Sequence, residues 1–125
     1  MGDVARRLKN IAKELNIWVI ALSQLNRDAQ NPVPSLARLR DSGQIAEAAD
    51  MVLLIYRPEV YGKRYPDEFS EKATIGTAMI DVAKGRNVGL MKFLVGFKKE
   101  NTNFYDLDDV PNYEVKEARP DGLPF

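Results

Sequence analysis

The stretch Gln44-Ile45-Ala46-Glu47-Ala48-Ala49-Asp50-Met51-Val52-Leu53-Leu54-Ile55-Tyr56-Arg57 sets the fold class. Its alanine-rich first half suits a short helix over Gln44–Ala49. Met51–Tyr56 is apolar without alternation, as expected of a strand covered on both faces in an α/β sheet. A run of the same kind, Ile17-Trp18-Val19-Ile20-Ala21-Leu22, lies upstream and predicts a second buried strand with Trp18 in the core. Before it, Val4, Leu8, Ile11 and Leu15 recur at spacings of four, three and four, which places one apolar stripe on a helix. Asp3 suits the N-cap of that helix, and Asn16 suits a left-handed residue that ends it.

Downstream, residues 57–72 are polar and turn-rich, so an excursion is expected there. Ala73–Lys84 and Leu90–Phe97 read as two strands joined by the turn Gly85-Arg86-Asn87-Val88-Gly89, and Asn103–Leu107 as a short edge strand. The expectation is an α/β fold: a mixed sheet with parallel strands and a C-terminal antiparallel hairpin. One substantial helix cannot cover two faces, so the chain reads as part of a larger α/β domain. Residues 28–43, with Pro32, Pro34 and Gly43, read as a surface loop with room for one helical turn. Residues 1–107 form the structured part. After Leu107 the acidic, proline-containing tail, residues 108–125, reads as extended or disordered.

Composition narrows the function classes. The chain has 125 residues, 45% of them apolar, and Leu, Ile, Val and Phe together number 34, enough for a packed core. The six-residue run at Ile17–Leu22 is far short of the roughly 20 residues that span a bilayer, so no membrane span is expected. His and Cys are absent. That removes disulfides, Cys/His zinc sites and His-dependent nucleophile activation together, favours an intracellular setting, and leaves no metal site to propose. The N-terminus has no apolar segment of the secretory kind. Eighteen basic and eighteen acidic residues cancel, but unevenly: residues 1–100 carry a net +4 and residues 101–125 a net −4. A mildly basic body is compatible with phosphate contacts and equally with a plain solvated surface.

Three polar clusters carry a specific likeness. Arg7-Leu8-Lys9, Ala12-Lys13-Glu14-Leu15-Asn16 and Ala21-Leu22-Ser23-Gln24-Leu25-Asn26-Arg27 form the first. Leu39-Arg40-Asp41-Ser42-Gly43-Gln44-Ile45 with Ala49-Asp50, closing at Ile55-Tyr56-Arg57, forms the second. Lys84-Gly85-Arg86-Asn87 with Gly89 forms the third. In order and spacing these resemble the DnaB family of hexameric replicative DNA helicases over about residues 4–107. The resemblance implies the C-terminal half of a RecA-like, P-loop NTPase-type ATPase domain. The phosphate loop G-x-x-x-x-G-K-[ST] is absent from this sequence, as is an apolar strand ending in an acidic magnesium ligand before residue 4. The expectation is therefore a truncated piece, a gene fragment or a degenerate relative that does not hydrolyse ATP alone. ATP and Mg belong to the intact protein.

What the resemblance implies for single residues differs by cluster. Gln24, at the end of the first apolar run, becomes the residue that senses the γ-phosphate; a neutral amide there can donate to phosphate and accept from water. Without the resemblance it is an ordinary strand-terminal amide. Arg40, Asp41 and Gly43 become a channel-facing loop that grips single-stranded DNA, with glycine allowing close backbone approach and arginine a charge-assisted contact. Asp41 stands where the family usually has Glu, and a plain surface turn is the other reading. Lys84 and Arg86 become groups that address the nucleotide of the adjacent subunit, Arg86 as the arginine finger. Gly85 replaces the usual Gln, and the Gly-Pro that commonly follows the Asn is missing. A solvated hairpin turn is the alternative for both cations.

Taken together, the implied function is a fragment of an ATP-dependent helicase that translocates on single-stranded DNA and unwinds duplex. The implied partners are single-stranded DNA and copies of itself, a hexameric ring in the intact protein or a dimer as this fragment, in the cytoplasm near bacterial or phage DNA. A non-catalytic RecA-like interaction module without a nucleotide site is the alternative. A recombinase-type or clock-type ATPase core shares the architecture but not the second and third clusters. Tyr56, Tyr61 and Tyr65 among basic residues offer a further base-stacking reading.

Overall fold

The structure is a computed structural model that describes residues 2–25, 30–39 and 45–107. In chain order its elements are helices α1 (Gly2–Leu15), α2 (Leu36–Leu39) and α3 (Ile45–Ala48), then strand β1 (Met51–Tyr56). Two 3-10 turns follow, at Pro58–Tyr61 and Asp67–Phe69, and then strands β2 (Thr77–Gly85), β3 (Met91–Lys98) and β4 (Asn103–Tyr105). No helix among the described residues is long and apolar enough to cross a membrane.

Helix α1 ends as its sequence predicts. Asn16 takes φ 53°, and the N–H of Ile17 donates to the carbonyl of Ala12 at 3.1 Å. That six-to-one bond closes the last turn and satisfies a carbonyl that the helix leaves free. The start differs by a residue. The helix begins at Gly2, so Asp3 lies inside the first turn and its Oδ1 pairs with Arg6 at 2.6 Å instead of capping from outside.

The first apolar run departs from expectation. Ile17–Leu22 has no regular secondary structure and joins no sheet among the described residues. Trp18 and Leu22 are each 95% exposed and Ile20 is 85% exposed, so the buried strand with a core tryptophan is not formed. An unbroken apolar run becomes a two-sided buried strand only between two neighbouring strands, and no described strand flanks it. It follows that the sheet holds no parallel pair of the kind expected. The four strands stand in the order β1-β2-β3-β4 and run antiparallel. Arg86, just past β2, donates its N–H to the carbonyl of Asp50, just before β1, at 3.0 Å. β3 and β4 pair with Gly96 opposite Tyr105, Phe97 opposite Phe104 and Lys98 opposite Asn103.

Strand β1 is covered on one face, not two: Val52, Leu54 and Tyr56 are buried, while Met51, Leu53 and Ile55 are exposed. The chain divides into two compact units, Met1–Leu54 with Asp81–Met91, and Ile55–Ile80 with Lys92–Phe125. In the first, Leu39, Val52 and Leu54 form the core, and Leu25, Ala46, Ala49 and Ala83 pack against it. In the second, Tyr56 stacks on Tyr61 and meets the edge of Tyr65, whose ring in turn meets Phe69. Tyr56 and Tyr65 are both buried, which removes them as a base-stacking platform. The acidic tail after Leu107 lies outside the described residues.

Candidate functional site

The turn between β2 and β3 presents Lys84 and Arg86, and the structure shows what each touches. Lys84, near the end of β2, sends its Nζ to the carbonyls of Ala46 at 2.8 Å and Glu47 at 3.0 Å. These carbonyls belong to the last turn of α3, and a cation there gives them a donor and opposes the helix dipole. An ammonium has three N–H donors, so one remains beyond these two.

Arg86 lies at the turn itself, exposed. Its Nη1 pairs with Oδ1 of Asp50 at 3.2 Å. The same oxygen accepts from Lys9 Nζ of α1 at 3.1 Å. Asp50 is thus shared by two cations from two elements, and its carboxyl sits below the usual aspartate range: first through the Lys9 hydrogen bond and charge, then through Arg86 and Lys13. The backbone adds a third tie, the Arg86 N–H to the Asp50 carbonyl. Val82 and Val88 pack close to Gly85, which has no room for a Cβ: one would fall 2.6 Å from a Val88 methyl. The glycine in place of the usual Gln is therefore matched to its own tight turn.

Gln24 lies exposed in the extended segment after α1, one residue before Leu25, which packs against the Leu39–Val52–Leu54 core. That anchor fixes where the amide leaves the core. Arg40, Asp41 and Gly43 lie outside the described residues; the segment that follows them is α3, on whose carbonyls Lys84 rests. Among the sequence-predicted residues, the structure brings Lys84 and Arg86 to one corner, formed by α3 and Asp50. Asp50 and Lys9 carry no assigned role in the sequence reading. The signal for Asp50 is its position: an acid at the seam between a helix and an apolar strand, with Arg86 just past the end of the antiparallel partner strand. Among the described residues no group of three or more acidic side chains is placed to hold a metal ion.

Residues 1–106 match the family model described as the DnaB-like helicase C terminal domain. The chain belongs to this family. It is 40% identical over 109 residues to a protein of Trieres chinensis named "Probable replicative DNA helicase", covering 85% of this chain and 23% of that protein. It is 37% identical over 110 residues to the replicative DNA helicase DnaB of Pasteurella multocida, covering 86% of this chain and 22% of that one. Among solved structures, a DnaB-like replicative helicase described together with its interactions with primase superposes with a TM-score of 0.68 at 34% identity, over 83% of this chain and 24% of that chain. The chain thus spans less than a quarter of the length of the two curated relatives. The likeness to the solved helicase covers most of the described chain.

Proposed function

We propose that this chain is part of the motor domain of an ATP-dependent replicative DNA helicase, in which it supplies one side of a nucleotide site shared between neighbouring subunits. The observation that carries the reading is the family match over residues 1–106, with Arg86 exposed at the tip of a hairpin rather than buried in the core. A guanidinium at an exposed turn is where a group must lie to act on a neighbouring molecule. Two cations and a neutral amide suit the anionic edge of a nucleotide. A phosphate-cradling loop belongs to the other side of such an interface.

Bound there, the nucleotide with its Mg supplies the phosphoryl group and the negative charge that these residues meet. Arg86 holds its fork of N–H donors toward the equatorial phosphate oxygens, where charge accumulates during transfer. Lys84 keeps two donors on α3 and directs its third outward. Gln24 orients the attacking water, accepting from it through the amide oxygen and donating to phosphate through the amide nitrogen. Arg40, Asp41 and Gly43 hold the phosphate backbone of one DNA strand. Head-to-tail contacts of this kind close by rotation, so the assembly is a ring of copies, a hexamer by family likeness.

The test is made in the intact protein. Arg86→Ala is expected to lower DNA-stimulated ATP hydrolysis by about 10³-fold or more, with fluorescent-nucleotide binding retained. Near-normal turnover would overturn the finger role. Arg40→Ala is expected to weaken single-strand binding and reduce the salt slope of log K by about one unit; an unchanged slope would reject Arg40 as a phosphate contact.

A further inference from the structure

Arg86 is held at two points by one residue. Its backbone N–H donates to the Asp50 carbonyl at 3.0 Å, and its guanidinium pairs with the Asp50 carboxylate at 3.2 Å. The first contact fixes where the residue leaves the sheet; the second fixes where its long side chain lies. An unrestrained arginine at an exposed turn samples many rotamers, and each productive contact must first remove that freedom. Asp50 is itself fixed. It sits between α3 and β1, where the Arg86 N–H holds its carbonyl and Lys84 grips α3 through the carbonyls of Ala46 and Glu47.

We propose that Asp50 is a positioning residue for Arg86: it holds the guanidinium pre-aimed at the hairpin tip, so that little reordering is left when a neighbour's phosphate arrives. This rests on the reading of Arg86 as the finger. Because Asp50 and Arg86 are 62% and 59% exposed at the side chain, the pair is weak enough to be shared or released when a stronger anion arrives. Arginine has five donors and Asp50 uses one of its nitrogens, so the rest of the fork stays available. Lys9 has a different part. It anchors the acid to α1, and the two-point hold on Arg86 does not depend on it.

The experiment measures DNA-stimulated ATP hydrolysis of the intact protein in five variants, Arg86→Ala among them. Asp50→Asn keeps size and backbone contact but removes the charge; it is expected to lower kcat about fivefold, the factor for an exposed ion pair at the upper end of its range, with KM for ATP unchanged. Asp50→Glu restores at least half of the loss. Lys9→Met stays within about twofold of the unsubstituted protein. In the Arg86→Ala background, Asp50→Asn produces no further loss, because an acid that acts through Arg86 has nothing left to position.

Three results would overturn the proposal. The first is an unchanged kcat in Asp50→Asn. The second is a further drop of that size on top of Arg86→Ala, and the third a Lys9→Met defect equal to that of Asp50→Asn. The last two would make the acid an anchor for α1 and nothing more. The mass of each variant in solution checks that the ring has assembled; should Asp50→Asn not assemble, Asp50→Ser takes its place, with the same expected loss and the same overturning results. Failure of the underlying reading is distinct: there Arg86→Ala itself hydrolyses ATP normally, and both conclusions fall together. If Arg86→Ala is inactive while Asp50→Asn is fully active, only the positioning role falls.

Discussion

The hydroxyl of Thr77 has one hydrogen and three oxygen neighbours. It lies 2.9 Å from the Ala73 carbonyl, 3.0 Å from the Thr74 carbonyl and 2.7 Å from the Tyr65 hydroxyl. Carbonyls only accept, so the single Thr77 hydrogen goes to one of them and Tyr65 must be the donor to Thr77. Burial raises the Tyr65 phenol above its ordinary value of 10, which keeps that donor protonated. Tyr65→Phe removes the donor while Thr77 keeps its carbonyl partner, so the expected loss is about 1 kcal/mol in denaturant unfolding, with an unchanged m-value. Glu59 is the other residue whose bonds decide something. Its two oxygens accept separately from Arg57 Nη2 at 3.0 Å and from the Gly76 N–H at 3.2 Å, and Arg57 also lies 4.0 Å above the Phe97 ring. The Arg57 hydrogen bond is the main reason that the Glu59 carboxyl sits below its ordinary value of 4.5. A carboxyl depressed in the folded state adds stability above its unfolded value, and loses it as pH falls through the folded one. Asp50, depressed from 3.8, has the same sign. Stability should therefore fall as pH drops below about 4.5, and Glu59→Gln and Asp50→Asn should each flatten that fall while lowering the plateau at neutral pH. An acid limb as steep in both variants as in the parent would reject these assignments.

At the level of elements, the β3–β4 pairing turns on one glycine. Gly96 is buried opposite Tyr105, and the Tyr105 ring lies where a Gly96 side chain would be. On the opposite face of the same pair, Phe97 and Phe104 meet with centroids 4.9 Å apart. The ring thus covers a residue that otherwise weakens a strand, and β4, only three residues long, is held by these two contacts. Gly96→Ala should displace the ring and cost about 1–3 kcal/mol, and amide exchange in Asn103–Tyr105 should rise more than in β2. Equal protection in parent and variant would show that Tyr105 swings aside freely. These elements also show what a sequence discloses. The hairpin, the short edge strand, α3 and the left-handed Asn16 were legible because each is set by local chemistry: alternation, turn residues, a cap. The excursion at 57–72 was legible as an excursion, but it runs on to Gly76, since β2 begins at Thr77 and not at Ala73. Its polar core was not legible, because the Glu59–Gly76 and Tyr65–Thr77 contacts join residues 12 to 17 apart with no periodic signal. Arg86 was legible as an exposed cation of a turn, whereas Lys84, expected at the same tip, lies half-buried within β2 on the α3 carbonyls. That support, like the Asp50 contact of Arg86, depends on strand pairing that spacing alone does not state.

For the whole molecule, the strand that does not form is the most informative feature. Ile17–Leu22 has the composition of a buried strand, yet Trp18, Ile20 and Leu22 are exposed, and so are Met51 and Leu53 of β1. Large apolar side chains exposed in such number are uncommon on a lone soluble chain and mark a surface that another partner covers. An unpaired apolar segment also offers free backbone donors and acceptors to a second strand. Side chains of this size left in water, at roughly 1.5–3 kcal/mol each, are a strong drive to association. The 125-residue chain, 14.1 kDa as a monomer, should therefore scatter light as a dimer or larger species at micromolar concentration. The double substitution Ile20→Lys with Leu22→Lys should return it toward monomer mass and make its unfolding midpoint independent of protein concentration, because neither side chain is packed in the fold described. A monomeric parent chain would mean that residues 17–22 fold back onto their own molecule. A monomeric double variant whose midpoint lies below that of the parent diluted to monomer would mean that they already contribute to its core, and either result would return the segment to the buried strand that its sequence implies.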